Sequence, residues 1–549
     1  MQKFYIAILA LIIGLIAAWV NPLLALAVIF GLVVLIFLAR NLDFGLIILV
    51  FFFPYLGLVI DFGAFESLRE VPYLKNVNAP FVDLFGLVLL VAWGIVVIFQ
   101  YFRGSTPTLS VRRTLSVANN GANNPSTLSD VHCGAQHSVL LRLRMGMGRI
   151  FPFWKSYALF WASGLVSFLK VPSVYFWSSF KYLARPFTFF YLVFFAMPVS
   201  ILTQSIHNPP HPSLTLREGD RSVPPLRVRG GEEGLLYRVL LVFYATGLLS
   251  AINGLLGLIF ANHLDFPRAT PFGFFGLSPL GPNHNLLAET LIATAPVGLL
   301  LNRTTLSVPV TLSVDADVQV AAQHSVLRRK WIIWGMFFQW GIALLTFART
   351  AWIAIAVQAI VYIYFTHRGR VHKFIKDSAP VIILLAVLAV MFGLTTFSET
   401  VRGSTLTRLD MARITEFYFE RTPWTGQGLG TFIPTLWQTK VFLLEYGEPL
   451  EAHGIVFKLM FEQGLLGMIA FAILAGAILR YLYRAYKIES SASSYGTACL
   501  VALMIASGSL AYQLFNTTYY TSKLWIPLAI AVAITKIYEY SNTHTKVVS

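Results

Sequence analysis

Charge is scarce in this chain, and acid is scarcer than base. Only 12% of its 549 residues are charged, with 25 acidic side chains against 41 basic ones. Cysteine is almost missing. Cys133 falls in a polar stretch and Cys499 in an apolar one, so the two are not expected to pair and a disulfide framework is excluded. The polar stretches also lack an Asp-x-Asp pair or a His/Cys cluster of metal-ligand spacing between 396 and 467, so no metal and no cofactor is expected there.

What is abundant is apolar sequence: 56% of residues are hydrophobic, in long runs from end to end. A run of ~20 apolar residues spans a bilayer, because each helical residue rises ~1.5 Å and the hydrocarbon is ~30 Å thick. Lipid offers no partner to a free backbone amide, so such runs must be helices. The expected fold is an all-α polytopic membrane protein with about 12–14 transmembrane helices. The runs lie near 4–20, 23–39, 44–60, 81–102, 151–169, 186–203, 235–261, 285–301, 331–347, 351–366, 379–396, 453–479, 496–514 and 524–540. The first run is followed by another after only Asn21-Pro22, with no small-residue cleavage site, and reads as a retained hairpin rather than a signal peptide.

The net charge of +16 invites a nucleic-acid reading, but its distribution argues against one. With a cytoplasmic N-terminus, the loops 103–150, 204–236, 302–330, 366–377 and 480–495 fall inside and hold most of the basic excess. The outside segment 396–452 has five basic and seven acidic residues. This is the inside-positive pattern of a membrane topology, not a binding patch. It places 396–452 on the outer face, periplasmic in a Gram-negative cell, and 541–549 in the cytoplasm.

The resulting division is N-terminal helices (1–102), an insert (103–150), helices with an interfacial segment (151–203), a second insert (204–236), helices (237–301), a third insert (302–330) and a core (331–540). Residues 108–117 (TLSVRRTLSV) and 305–314 (TLSVPVTLSV) are near-copies, each followed by AQHSVL. They read as repeat-like insertions rather than solenoid units, whose repeats would be contiguous. Residues 170–185 are aromatic and basic and read as an interfacial helix.

The organising stretch runs from Ser398 to Gly467. It carries Arg402, Arg408, Arg413 and Arg421, a Pro-Trp-Thr-Gly-Gln-Gly-Leu-Gly turn, and His453 at the mouth of the next apolar run. Further outer-face candidates are Arg268, Asn285 within Asn-x-x-Ala-Glu289, and Arg349 between two apolar helices. Together with Pro423-x-x-Gly426-x-Gly428-x-Gly430, these resemble the O-antigen ligase / O-antigen polymerase superfamily. The resemblance extends to His453, which is followed by one residue, nine more, and then Gly464-x-x-Gly467. Ligases of that family carry Asn, Ser or Gln after the histidine, whereas this chain has Gly454.

The resemblance implies transfer of a glycan from an undecaprenyl-diphosphate carrier to an acceptor hydroxyl at the outer face of the bacterial inner membrane. The acceptor would be lipid A core, another glycan or a protein. Arginines suit the departing diphosphate, because a guanidinium stays charged and grips phosphate oxygens bidentately. A histidine suits removal of the acceptor proton near neutral pH. His453, Arg408 and Arg349 are therefore the expected catalytic residues. Arg268, Asn285, Arg402, Gly428 and Gly430 are the expected substrate-binding ones.

Blander readings stand beside these. Arg349 could anchor a hairpin at the headgroups, Arg408 could be one of several solvated loop arginines, and His284 reads as structural. Gly464 and Gly467 read as close helix packing, and Lys458 with Glu462 as an i,i+4 pair. A repeat-unit polymerase of the same superfamily is the alternative within the class. A transporter or flippase is the alternative from outside it, disfavoured because the spans hold few ionisable residues.

Overall fold

The computed structural model describes residues 22–61, 78–104, 151–207, 232–260, 267–273, 277–281, 283–304, 316–366, 398–439, 452, 454–488, 494–516 and 521–548. The expected runs 4–20 and 379–396 lie outside them. Among the described residues the protein is a helical bundle with one two-stranded ribbon, Val59–Asp61 (β1) antiparallel to Asn78–Pro80 (β2). Seven of the described helices have the length and hydropathy to cross a membrane, or eight if one bent pair counts as a span. That pair is the Phe30–Arg40 part of α1 (Pro22–Arg40) with α2 (Leu42–Phe52), bent by 107°; α1 matches the expected run 23–39, whereas the run 44–60 is helical only as far as Phe52.

The chain continues through α3 (Phe81–Gly104), α4 (Trp154–Phe168) and α5 (Phe176–Ala184). Segment 170–185 does not form a separate interfacial helix. Two π-helical turns, Arg185–Phe189 and Leu192–Ala196, carry α5 into α6 (Met197–His207), so that Ser173–Thr203 is one stretch of 31 residues. At ~1.5 Å per residue such a stretch is about 46 Å long, well beyond the ~30 Å hydrocarbon. Its start bears the exposed rings of Phe176, Trp177 and Phe180, suited to the headgroup layer.

Next come α7 (Glu232–Phe260), α8 (His284–Thr294) and α9 (Val297–Thr304), the last two forming one span around Pro296. A tight corner joins α10 (Ala316–Leu345) to α11 (Arg349–Thr366). The chain ends with α12 (Ser398–Arg421), α13 (Phe432–Gln438), α14 (Ile455–Ile488), α15 (Ser494–Gln513) and α16 (Ser522–Val548). The main core joins α2, α3, α6, α7 and α14–α16 through buried residues such as Phe53, Phe194, Phe243, Leu474, Met504 and Trp525.

Packing sorts the connections onto two ends. At one end Arg303 bonds Thr497, the Tyr486 hydroxyl donates to the Phe365 carbonyl at 2.9 Å, and Phe153 packs on Tyr481. At the other, the Ser522 hydroxyl donates to the Phe53 carbonyl at 2.8 Å and Gly57 N–H donates to Pro279 at 2.9 Å. Those candidate residues that are described, Arg268, Asn285, Arg349, Arg408, Gly428 and Gly430 among them, gather at this second end.

Candidate active site

Helix α14 is the element on which the site is assembled. It is interrupted at Gly464, where φ is 62° and ψ is −155°, a backbone region essentially confined to glycine. The break frees main-chain groups on both sides. The Phe461 and Glu462 carbonyls accept from the N–H groups of Gln427 and Gly428 at 2.8 and 3.1 Å. Beyond the break, the N–H groups of Leu465 and Leu466 donate to the Pro423 and Trp424 carbonyls at 2.8 and 3.1 Å.

Four backbone bonds therefore seat the glycine-rich turn in the gap. Gly426, Gly428 and Gly430 hold φ of 67°, 122° and 70°, which explains the alternation of glycines. A Cβ on Gly464 would stand 2.5 Å from the Pro423 carbonyl oxygen, so its close approach is to this turn and not to a second helix. Gly467 is back in helix, where a Cβ would crowd the Gln463 side chain. Gly430 backs onto Tyr182 of α5, and Gly428 onto Val171.

Lys458 and Glu462 form the expected i,i+4 pair at 3.7 Å, but both are 1% exposed. Lys458 Nζ also lies 4.8 Å from the centre of the Tyr182 ring, and Glu462 accepts from the Phe432 N–H at 3.4 Å. The buried pair thus ties α14 to α5 and to the helix that follows the turn. Losing one partner of such a pair strands a charge, at a cost of about 3–5 kcal/mol.

The arginines meet in a second corner. Arg349 is the first residue of α11, following the turn at Phe347. Ala269 N–H donates to the Leu345 carbonyl at 2.8 Å, drawing the Arg268 loop to the same place. Asn253 clasps that loop, its amide donating to the Phe272 carbonyl at 3.0 Å and accepting from the Phe272 N–H at 2.9 Å. Arg268 lies within electrostatic reach of His284, the first residue of α8, while Asn283 caps that helix through the Asn285 N–H at 2.8 Å.

Arg408 is half-buried on α12, within electrostatic reach of Arg349 and Tyr512. Burial, then the like charge of Arg349, holds its pKa below the usual guanidinium value, though a guanidinium in a protein stays protonated. Its Nε is buried and makes no hydrogen bond among the described residues. Two like charges brought together around a desolvated donor have the chemistry that suits an anion with several oxygens.

Three polar residues that sequence reasoning did not single out brace this corner. The Tyr512 hydroxyl donates to the Asn285 carbonyl at 2.6 Å, and Gln513 donates to Glu289 Oε1 at 2.7 Å. Lys523, fully buried, donates to the Leu286 carbonyl at 2.7 Å. Their one signal in sequence is a polar Tyr-Gln and a lone lysine flanking the gap between the last two apolar runs.

Arg413 stands apart: it is 77% exposed and pairs with Asp410 at 3.4 Å along α12. The Arg402 side chain and His453 lie outside the described residues. The residues on either side of His453, Ala452 and Gly454, are buried. Gly454 has φ of 127°, and a Cβ there would lie 2.5 Å from the Leu514 carbonyl oxygen. That contact explains glycine at this position, since neither Asn, Ser nor Gln could keep the backbone or the approach to α15.

Residues 334–472 match the family described as O-antigen ligase. The matched span holds Arg349, Arg408, the glycine-rich turn, His453 and the Gly464 break. No curated protein matches the chain.

Proposed function

We propose, from the match of residues 334–472 to the O-antigen ligase family, that this membrane protein transfers a glycan from an undecaprenyl-diphosphate carrier to an acceptor hydroxyl. The observation that carries the reading is the Arg349–Arg408 corner with the buried Arg408 Nε, which makes no hydrogen bond among the described residues. A carrier diphosphate presents oxygens to both guanidiniums while its lipid lies in the bilayer. As the acceptor oxygen bonds to the anomeric carbon, the bond to the diphosphate breaks and its electrons leave with the phosphate. The two arginines stabilise that charge most where it is largest, in the transition state. The acceptor proton passes to His453, which stands one residue before Gly454 at the start of α14. The acceptor is lipid A core, a growing glycan as in a polymerase, or a protein hydroxyl.

The two-ended packing supports a topology with this corner at the outer face of the inner membrane and loops 103–150, 204–236 and 302–330 in the cytoplasm. A cysteine at Gln438 should react with an impermeant thiol reagent on intact spheroplasts, and one at Ser126 should not; the opposite pattern removes the periplasmic site. The chemistry is tested by His453→Ala. Loss of a positioned base costs ~10²–10⁴ in rate, so glycan transfer in isolated membranes should nearly vanish at unchanged protein level. Near-normal turnover would place the base elsewhere.

A further inference from the structure

A cavity of about 260 Å³ opens at the same end, on the other flank of the glycine-rich turn. Its walls come from Pro80 and Asp83 at the start of α3, from Lys181, Tyr182 and Arg185 of the long α5–α6 stretch, and from Thr521 just before α16. Among the charged residues of its walls Asp83 alone is deeply buried: its side chain is 8% exposed, and Arg185, 49% exposed, grips it with Nε at 3.0 Å and with a second guanidinium nitrogen. Arg185 also lies 5.5 Å from the centre of the Phe190 ring, so guanidinium and ring share one wall.

Two irregularities of the backbone converge on this place. The first is the π-helical turn that begins at Arg185; such turns are rare and occur frequently at functional sites. The second is the short β1–β2 ribbon, where the Phe81 N–H donates to the Leu58 carbonyl at 2.7 Å and fixes the start of α3. Neither is needed to cross a membrane, and each aims one half of the Asp83–Arg185 pair.

We propose that this cavity binds a pyranose residue of the acceptor glycan, an inference that rests on the transferase reading above. Asp83 and Arg185 largely cancel in charge, yet they offer carboxylate acceptors and guanidinium donors in fixed positions, which is what a ring of hydroxyls requires. The partly exposed Tyr182 ring supplies an apolar face for the C–H side of a sugar, while the buried Phe190 ring backs the Arg185 guanidinium. The volume lies just below the ~300–1,000 Å³ of typical small-molecule sites and suits one ring rather than an oligosaccharide.

The cavity also adjoins the transfer machinery. Tyr182 lines it on one side and meets Gly430 and Lys458 on the other. Lys458 lies one helical turn after Gly454, which backs onto the Leu514 end of α15, beside Tyr512 and the arginine corner. Donor phosphate and acceptor sugar would thus sit on opposite flanks of the first turn of α14.

The test does not require transfer. In the full-length protein with Cys133→Ser, Ser178→Cys places a thiol on the exposed wall of the cavity, and its alkylation rate is followed with methyl glycosides of glucose, galactose, mannose and N-acetylglucosamine. At least one should slow labelling several-fold. Asp83→Asn should remove that protection while leaving the sugar-free labelling rate unchanged, and its KM for the acceptor should rise with kcat retained. Should Asp83→Asn fail to fold, Arg185→Lys serves in its place, since that side chain is half exposed. Labelling unaffected by all four sugars, or protection that survives both substitutions, overturns the proposal and leaves the transferase reading intact. Sugar protection in a wild-type protein that transfers nothing would instead strike the transferase reading.

Discussion

Arg408→Ala is expected to reduce glycan transfer by about 10²–10³-fold, the cost of removing one preorganised donor to developing negative charge. Arg413→Ala, five residues along the same helix, should change it by less than about twofold. The two share residue type, helix and local composition and differ in surroundings. Arg413 is largely solvated and already paired with Asp410, whereas Arg408 is half-buried, lies within electrostatic reach of Arg349 and keeps a buried Nε without a hydrogen bond among the described residues. Arg349→Lys should also fail substantially, because the charge remains but the bidentate fork is lost. Transfer by the three variants in membranes of matched protein content checks the series. Equal effects at Arg408 and Arg413 would reduce both to loop charges.

The second large effect is expected at Gly464. An alanine there meets the Pro423 carbonyl oxygen at 2.5 Å and must adopt φ of 62° with ψ of −155°. Such a conformation costs a non-glycine residue ~1–3 kcal/mol, and relieving it would regularise the helix and break the four bonds that seat the turn. Transfer should fall at least about tenfold, and new protease cleavage should appear in 422–432 while the protein still inserts. Gly476→Ala is the matched control on the same helix. A Cβ there has nothing within 4 Å, and helix propensity favours alanine by ~1 kcal/mol. If Gly464→Ala behaves like Gly476→Ala, the broken helix does not organise the site.

The membrane-crossing architecture was legible in the sequence because lipid leaves the chain one choice, and apolar runs such as 81–102, 235–261 and 496–514 report it directly. Continuity was less legible. Lys170 to Arg185 is too polar to read as part of a span, yet from Ser173 onward it is helical and π-helical turns carry it into 186–203. The glycines of 426–430 announced a special backbone, since alternating glycine has few other uses. Their partner did not announce itself: Gly464 looks like any small residue of a membrane helix, and only the fold shows it opening α14. Lys458 and Glu462 have the spacing of a surface pair and are buried, because spacing records the face of a helix and not what covers it. Tyr512, Gln513 and Lys523 brace the arginine corner from more than 200 residues away in sequence from Asn285 and Glu289, a proximity no local pattern encodes.

The central claim is that Arg349 and Arg408 together hold a lipid-linked diphosphate, and equilibrium binding of undecaprenyl diphosphate to the purified protein in nanodiscs tests it most directly. Wild type and His453→Ala should bind with the same affinity, since the histidine acts on the acceptor. Arg349→Ala and Arg408→Ala should each weaken binding about 10–100-fold, the loss of ~1.5–3 kcal/mol in charge-assisted hydrogen bonds. The double variant should bind no better than a protein-free nanodisc. Affinity unchanged in the double variant would contradict the account.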